Sequence, residues 1–448
     1  MAARLSPAAF VPERLWRPLW HISMLTVAMV AGVAMAFATQ TLLARELGPA
    51  DYGLFASSLA TVTMIAPLAG FGLTQFRLKV YGVEGWAAHR WMQPSLRFTI
   101  FSTLLSIGLV VGWALIAAPA NGTRFCLLVL TPVILSVLAS DLVGNKLRLE
   151  DRYRYMSLWQ LMLPASRLAV AIALWWVVGL GYRFVAVAYA VVALLVTARA
   201  LPHLRALLRD EMDLKGHGRR ANAVAATGPT PGVGEVWSQA WAYGLVALLF
   251  PVFFQISTVL LKYLDSDTQA GHYGIALSVM TAIYMIPVTI YQKFLLAKLH
   301  RWAAHDKPKF WMVYRKGNYA MFAFGLLIAL ALVVLAPWVV PLVFGKAYRP
   351  VVAILMVLAC CVPLRFLAVS AGSVLLTENH MRYRVYALAL AAATVVLLNL
   401  ALIPRFHALG AAAATVMAEC VLLLATTFCV RRFVLPARDA AIVEVAPY

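Results

Sequence analysis

The chain of 448 residues is 63% hydrophobic and only 12% charged, with a mean hydropathy of +0.83. A soluble globular domain is roughly half apolar and about one-quarter charged, so this composition excludes an ordinary water-soluble protein. The formal charge of +20 would suit a polyanion, but the basic residues punctuate the apolar runs rather than gathering on a tail or one face. That placement fits contact with membrane lipids and the fixing of membrane orientation, and no nucleic-acid partner is expected.

In chain order, Met1 to Trp20 carries Arg4, Arg14 and Arg17 ahead of an apolar run that begins near Ile22. This looks like the front of a signal peptide, but the run to Leu43 is too long for a usual apolar core and lacks a clean cleavage site. A retained first helix is expected. Apolar runs of roughly 20 residues then recur, each long enough to cross the hydrocarbon. The predicted spans are 21–43, 53–76, 98–118, 124–143, 157–179, 182–201, 237–261, 273–296, 318–341, 351–376, 385–403 and 408–430. About twelve such helices make an all-α polytopic membrane protein with a central cavity between two bundles. An outer-membrane β-barrel is excluded, because it needs strands of about ten residues with alternating polarity.

The connection from Pro202 to Val236 holds an Arg-, Asp-, Gly- and Ala-rich stretch and reads as a flexible linker. The expected organisation is a six-helix bundle over 1–201, a cytoplasmic linker over 202–236, a second six-helix bundle over 237–430 and a cytoplasmic tail over 431–448. Basic residues sort by connection. One face of the membrane collects only Arg45, Arg124, Arg183, Lys262, Lys346, Arg349 and Arg405. The other face is richer by roughly four to one, which places it and both termini in the cytoplasm under the positive-inside rule.

The halves echo each other. Tyr52-Gly53 opens the second span, followed by Pro67, Gln75, Arg77 and Lys79, while Tyr273-Gly274 opens the eighth, followed by Pro287, Gln292 and Lys293. Two readings stand: a duplication related by a pseudo-two-fold axis along the membrane normal, or chance recurrence of common residues. Pro132, Pro164, Pro251 and Pro363 also fall inside predicted helices, where each removes an intrahelical bond and favours a kink.

No HExxH, GxSxG or Walker loop is present, so an enzyme is not expected, and any transport must draw on an ion gradient, the membrane potential or the substrate's own gradient. Cys126, Cys360, Cys361, Cys420 and Cys429 lack ligand spacing and read as small core residues. The histidines sit at helix ends or in loops, so neither a metal nor another cofactor is expected. The informative residues are charges inside apolar helices. Arg167 lies roughly 16 Å from the cytoplasmic start of the fifth span at 1.5 Å per residue, and Arg365 lies deeper in the tenth. Either each faces a wet cavity that accepts an anion, or each has a structural partner. Asp141 and Glu419 are the available acids, as counter-charges or as proton carriers. Gln40, Gln75, Gln160 and Gln255 are candidate polar lining. Lys146, Arg148, Arg152 and Arg154, with Lys293 and Lys298, crowd the cytoplasmic mouth, where topology alone accounts for positive charge and phosphate oxygens would also be attracted.

Three stretches carry a family resemblance: LLARELGPADYGLFASSLATVTMIAPLAGFGL (Leu42 to Leu73), VFGKAYRPVVAILMVLACCVPLRFL (Val343 to Leu367) and LIPRFHALGAAAATVMAE (Leu402 to Glu419). In order along nearly the whole chain, they resemble the polysaccharide biosynthesis transporters. These are the O-antigen and exopolysaccharide repeat-unit flippases of the multidrug/oligosaccharidyl-lipid/polysaccharide (MOP) exporter superfamily. The resemblance implies movement of an undecaprenyl-diphosphate-linked oligosaccharide across a bacterial inner membrane, in lipopolysaccharide or exopolysaccharide assembly. It also implies a polysaccharide polymerase and chain-length machinery as partners. The substrate-binding candidates are then Arg167, Arg365, Arg45, Gln75, Arg77, Arg148, Arg152, Gln255 and Lys293. Arg45 matches the basic residue of the family's turn after the first helix, as a cap or a substrate contact. Family members often bear a carboxylate in the seventh helix, where Ser257 stands here. Alternatives are a small-solute or drug antiporter of the same superfamily and a membrane scaffold of a polysaccharide assembly complex.

The charge distribution makes a direct prediction. In intact cells, single-cysteine labels at Gly216 and Tyr448 are expected to be protected from an impermeant reagent while one at Asp265 reacts, and the opposite pattern would refute the orientation.

Overall fold

The computed structural model describes residues 13–118, 121–177, 179–209, 211–214, 230–289, 307–375 and 381–434. Hydrocarbon offers no hydrogen-bond partner to a backbone N–H or C=O, so apolar runs satisfy these groups internally as helices. The helices are α1 (Glu13–Ile65), α2 (Leu73–Glu84), α3 (Met92–Ile116), α4 (Asn121–Leu130), α5 (Pro132–Leu149), α6 (Tyr153–Trp176), α7 (Tyr182–Leu208), α8 (Val233–Leu264), α9 (Asp267–Val288), α10 (Lys307–Phe344), α11 (Val351–Leu358), α12 (Cys361–Val374) and α13 (Met381–Cys429). Many hydroxyls within them are satisfied locally: Thr39, Ser57, Thr61 and Thr426 each donate to a carbonyl four residues back, which removes the cost of a bare hydroxyl in the membrane. Among the described residues, eight helical stretches are long and apolar enough to span a membrane, or nine if the bent pair α11 and α12 is one span. The chain is a multi-pass all-α membrane protein.

Several predicted boundaries differ from those observed. The gaps expected between the first and second spans, and between the eleventh and twelfth, are each crossed with a single non-helical residue. These are Gly48 in α1 (φ 70°, ψ 172°) and His407 in α13 (φ 53°, ψ −137°). Glycine adopts positive φ without a Cβ clash, whereas His407 does so with its ring Nδ1 held 2.9 Å from Asp265 Oδ2. The fourth predicted span divides at Thr131 into α4 and α5, with Pro132 opening α5 where its missing N–H is no loss. The tenth bends by 43° between α11 and α12, just before Pro363. Pro164 and Pro251 lie within the continuous helices α6 and α8. Cys126, Cys361 and Cys429 are buried as expected of small core residues, but Cys360 is exposed at the α11–α12 bend. The expected linker is shortened at both ends, since α7 reaches Leu208, Met212 and Leu214 are buried, and α8 begins at Val233. Its remaining residues, 215–229, lie outside the described residues, as do Gln292, Lys293, Lys298 and residues 435–448.

The helices before the linker meet those after it at both ends. At the end holding Gly48, α1 and α9 touch backbone to backbone: a Cβ on Gly53 would lie 1.7 Å from the Asp267 carbonyl oxygen, and one on Gly271 would lie 2.2 Å from the Pro49 carbonyl oxygen. Tyr52, almost fully buried, sets its ring edge-on to Tyr348 at 6.4 Å. The Tyr348 hydroxyl donates to the Ala44 carbonyl at 3.0 Å. Arg45 donates to the carbonyl of Leu342, and Trp113 Nε1 donates to the Tyr263 hydroxyl at 2.7 Å. At the opposite end the chain breaks helix between α1 and α2 through Gly70 and Gly72, both at positive φ. There Phe71 stacks on Trp237 of α8 at 5.0 Å and 7°, and Gly244 of α8 lies so close that a Cβ on it would meet Phe71 Cδ1 at 2.3 Å. Large apolar side chains such as Ile116, Trp176, Leu330, Trp338, Leu342 and Leu424 are exposed on the rim, as a lipid-facing surface requires.

This packing predicts that Gly53→Ala and Gly271→Ala separate α1 from α9. A reporter cysteine at Ser278, whose native hydroxyl lies beside Tyr52 beneath the contact, should then label several-fold faster from the Gly48 side. Gly112→Ala, where an added Cβ meets nothing within 4 Å, should leave the labelling rate unchanged. Equal rates in all variants would refute the closure.

Candidate functional site

The site is built from the seam between the two groups of helices and the charges behind it. Midway along the seam the Thr63 hydroxyl donates to Gln255 Oε1 at 2.8 Å, so Gln255 of α8 meets α1 directly. At the Gly48 end, Gln40 accepts from the Tyr52 hydroxyl at 2.8 Å. One cross-helix network lies behind α8: Asn399 donates to the Ser257 hydroxyl at 2.9 Å, and Thr415 meets the Tyr273 hydroxyl at 2.7 Å and Ser257 at 3.5 Å.

Arg365 of α12 and Glu419 of α13 come together. Their side chains are 6% and 1% exposed, with Arg365 Nη1 3.5 Å from Glu419 Oε1. Four rings surround the guanidinium: Phe250, Phe253 and Phe254 of α8 and Tyr284 of α9 lie with centroids 5.1–5.5 Å away. The electron-rich faces of these rings replace part of the hydration that a buried cation loses. The ion pair is incomplete, because Arg365 Nη2 and Glu419 Oε2 are buried without hydrogen-bond partners. A narrow cavity lies against the carboxylate, lined in part by Tyr273, Tyr284, Leu358 and Thr415.

Arg167 is half-buried on α6 with its guanidinium 4.9 Å from the Tyr189 ring centroid. Arg77 is buried on α2, in a small cavity formed with Phe76, Tyr81, Trp91 and Met92, and its Nε has no hydrogen-bond partner. Gln75 beside it is exposed. Near the α5–α6 turn the basic mouth is partly neutralised: Lys146 Nζ is 2.6 Å from Glu150 Oε1, and Arg152 Nε is 3.6 Å from Glu150 Oε2. Arg148, Arg154, Asp141 and Gln160 are exposed. Lys293 lies outside the described residues. The structure thus joins Arg365 to Glu419 and Gln255 to the seam, and it keeps Arg167 and Arg77 in separate places on the first group of helices. The aromatic cage and the role of Thr63 had no local sequence signal, although Phe250, Phe253 and Phe254 at spacings of three and four do share one helical face.

The family model described as "Polysaccharide biosynthesis protein" matches residues 20–295, more than half of the chain. The chain belongs to that family. A search of curated protein sequences returns no match. Among solved structures, the lipid II flippase MurJ in an inward closed conformation is similar at 12% identity and a TM-score of 0.66, over 91% of this chain and 87% of that one. An inward-facing multidrug resistance transporter of the MATE family, in the MOP superfamily, is 12% identical with a TM-score of 0.65, over 95% of this chain and 100% of that one. An outward-facing MATE transporter is 13% identical with a TM-score of 0.59, over 95% and 97%. The chain therefore has the fold shared by MurJ and the MATE transporters.

Removing one partner of a buried pair costs more than removing both. Arg365→Gln is expected to destabilise the protein by on the order of 3 kcal/mol, while Arg365→Met combined with Glu419→Leu regains most of that loss. Thermal unfolding in detergent tests this, and equal loss in both variants would show that the pair is not coupled.

Proposed function

We propose that this protein is a flippase that moves an undecaprenyl-diphosphate-linked oligosaccharide repeat unit from the cytoplasmic to the periplasmic leaflet of a bacterial inner membrane by alternating access. The architecture we propose for this is twelve spans in two six-helix bundles, 1–201 and 237–430, joined by a cytoplasmic linker and rocking about the seam.

The observation that carries the reading is the family match over residues 20–295, and the unequal charge of the two ends gives it a direction. The end poor in basic residues is sealed by Gly53 and Gly271 at backbone contact and by Tyr348 on Ala44. The opposite, basic end presents Gln75, Arg148 and Arg152 exposed. The two groups of helices also meet at this end, through Phe71 on Trp237 and Gly72 against Gly244, and the exposed cations beside that contact are placed to meet an anionic headgroup on the cytoplasmic side. Family membership supports the substrate class. A sugar diphosphate cannot enter hydrocarbon unaided, because its hydroxyls and phosphates would lose water without replacement. Guanidinium groups substitute for that water through charge-assisted bonds, and a small number of them lets the substrate leave again. No covalent bond changes. Arg167 and Arg365 are the proposed deep contacts, and Arg45, Arg77, Arg148, Arg152, Gln75, Gln255 and Lys293 the proposed lining.

The test is reconstitution in proteoliposomes with a defined lipid-linked oligosaccharide, with leaflet transfer normalised to folded protein. Arg167→Gln and Arg365→Gln are each expected to lower transfer at least tenfold, and Arg167→Lys to retain more than Gln, since it keeps charge but loses the planar fork. Unchanged transfer in both Gln variants would remove the deep-contact role. Absence of transfer by the wild type, with ion-coupled efflux of small cations in its place, would favour a drug antiporter of the same superfamily.

A further inference from the structure

The Arg365–Glu419 pair has two features that a purely structural pair lacks. Its closest approach is 3.5 Å, longer than a charge-assisted hydrogen bond, and each partner keeps one buried polar atom unsatisfied. Both groups are therefore under-coordinated in a place where an unpaired charge is costly. The cage has one open side. Phe253 is 2% exposed, but Phe250 is 46% exposed, and Gln255, next to Phe254, bonds to α1 across the seam. Helix α8 thus carries three rings of the cage and, one residue further on, the side chain that crosses the seam.

We infer that an anionic headgroup at the seam competes with Glu419 for Arg365, and that Glu419, once deserted, takes up a proton from water through the adjoining cavity. The inference rests on the flippase reading above and deepens it by making proton binding and substrate binding mutually supportive. The balance is simple: the Arg365 guanidinium keeps its charge and exchanges a carboxylate for a phosphate oxygen, while Glu419 gains one proton and becomes neutral, so no uncompensated charge is left in the apolar interior. The groups that bear on Glu419 are few. Arg365 and Cys361 of α12 and Tyr273 and Tyr284 of α9 lie within electrostatic reach, and Arg384 of α13 reaches Arg365. Among the described residues that contact the cage or cavity, α8 and α11 contribute only apolar side chains, Phe250, Phe253, Phe254 and Leu358. Tyrosines and a buried thiol stay neutral near neutral pH, so the proton falls to Glu419.

By linkage, the ligand that binds with a proton binds more tightly as pH falls. The test is calorimetric titration of the purified full chain with farnesyl diphosphate, in buffers of different protonation enthalpy, between pH 6 and 8, with farnesol as the uncharged control. The wild type is expected to take up about one proton per diphosphate bound, with affinity rising up to about tenfold per pH unit where uptake is complete. Farnesol should cause no uptake. Glu419→Gln should bind diphosphate with no proton uptake and no pH dependence. If that variant does not fold, the wild-type proton count decides alone. Diphosphate binding without uptake, or uptake that persists in Glu419→Gln, overturns the linkage and leaves the flippase reading standing. Failure of the folded wild type to bind diphosphate at all overturns both.

Discussion

Backbone meets backbone at Gly53 and Gly271, and the arrangement of the two groups of helices follows from that contact. There is no hydrophobic force between helices in lipid, where acyl chains are as apolar as leucine, so close approach through small residues is one of the few sources of attraction left. With Gly53 against the Asp267 carbonyl and Gly271 against the Pro49 carbonyl, α9 cannot shift without leaving that contact. The surrounding bonds from Tyr348 to Ala44 and from Arg45 to Leu342 depend on the same register. The closest atoms of the contact belong to the backbone, so it is sensitive to shape above all.

The charges obey a different economy. Near the ends of helices they meet water or one another, as in Lys146 with Glu150 and Lys262 with Asp267. In the interior Arg365 relies on one carboxylate and four rings. Arg167 relies on the Tyr189 ring. Both solutions hold a cation loosely. Neither interior arginine is held by several fixed donors.

Much of this was legible in the sequence for a simple reason: hydrocarbon thickness imposes a length on every apolar run, and loops carry the basic residues. That logic found the helices, and depth within a run singled out Arg365 and Glu419 before their meeting was known. It offered Glu419 as a counter-charge to either arginine, and the packing of α12 on α13, which spacing along the chain does not encode, selects Arg365. The predicted gaps at Gly48 and His407 are several residues wide, since polar and small residues cluster there, whereas a single residue with positive φ breaks the helix at each. The resemblance to polysaccharide transporters carried what spacing could not, and the match over residues 20–295 agrees with it.

The stack of Phe71 on Trp237 has a consequence for how this chain can change over time. Phe71 fills the space that a side chain at position 244 would need, since even a methyl group there would lie 2.3 Å from the ring carbon Cδ1. Enlargement at 244 is tolerable only alongside reduction at 71, and a smaller residue at 71 would strand the indole of Trp237. Descendants of this sequence should therefore carry these three positions as a single inherited unit, although the first lies more than a hundred and fifty residues from the other two in the chain.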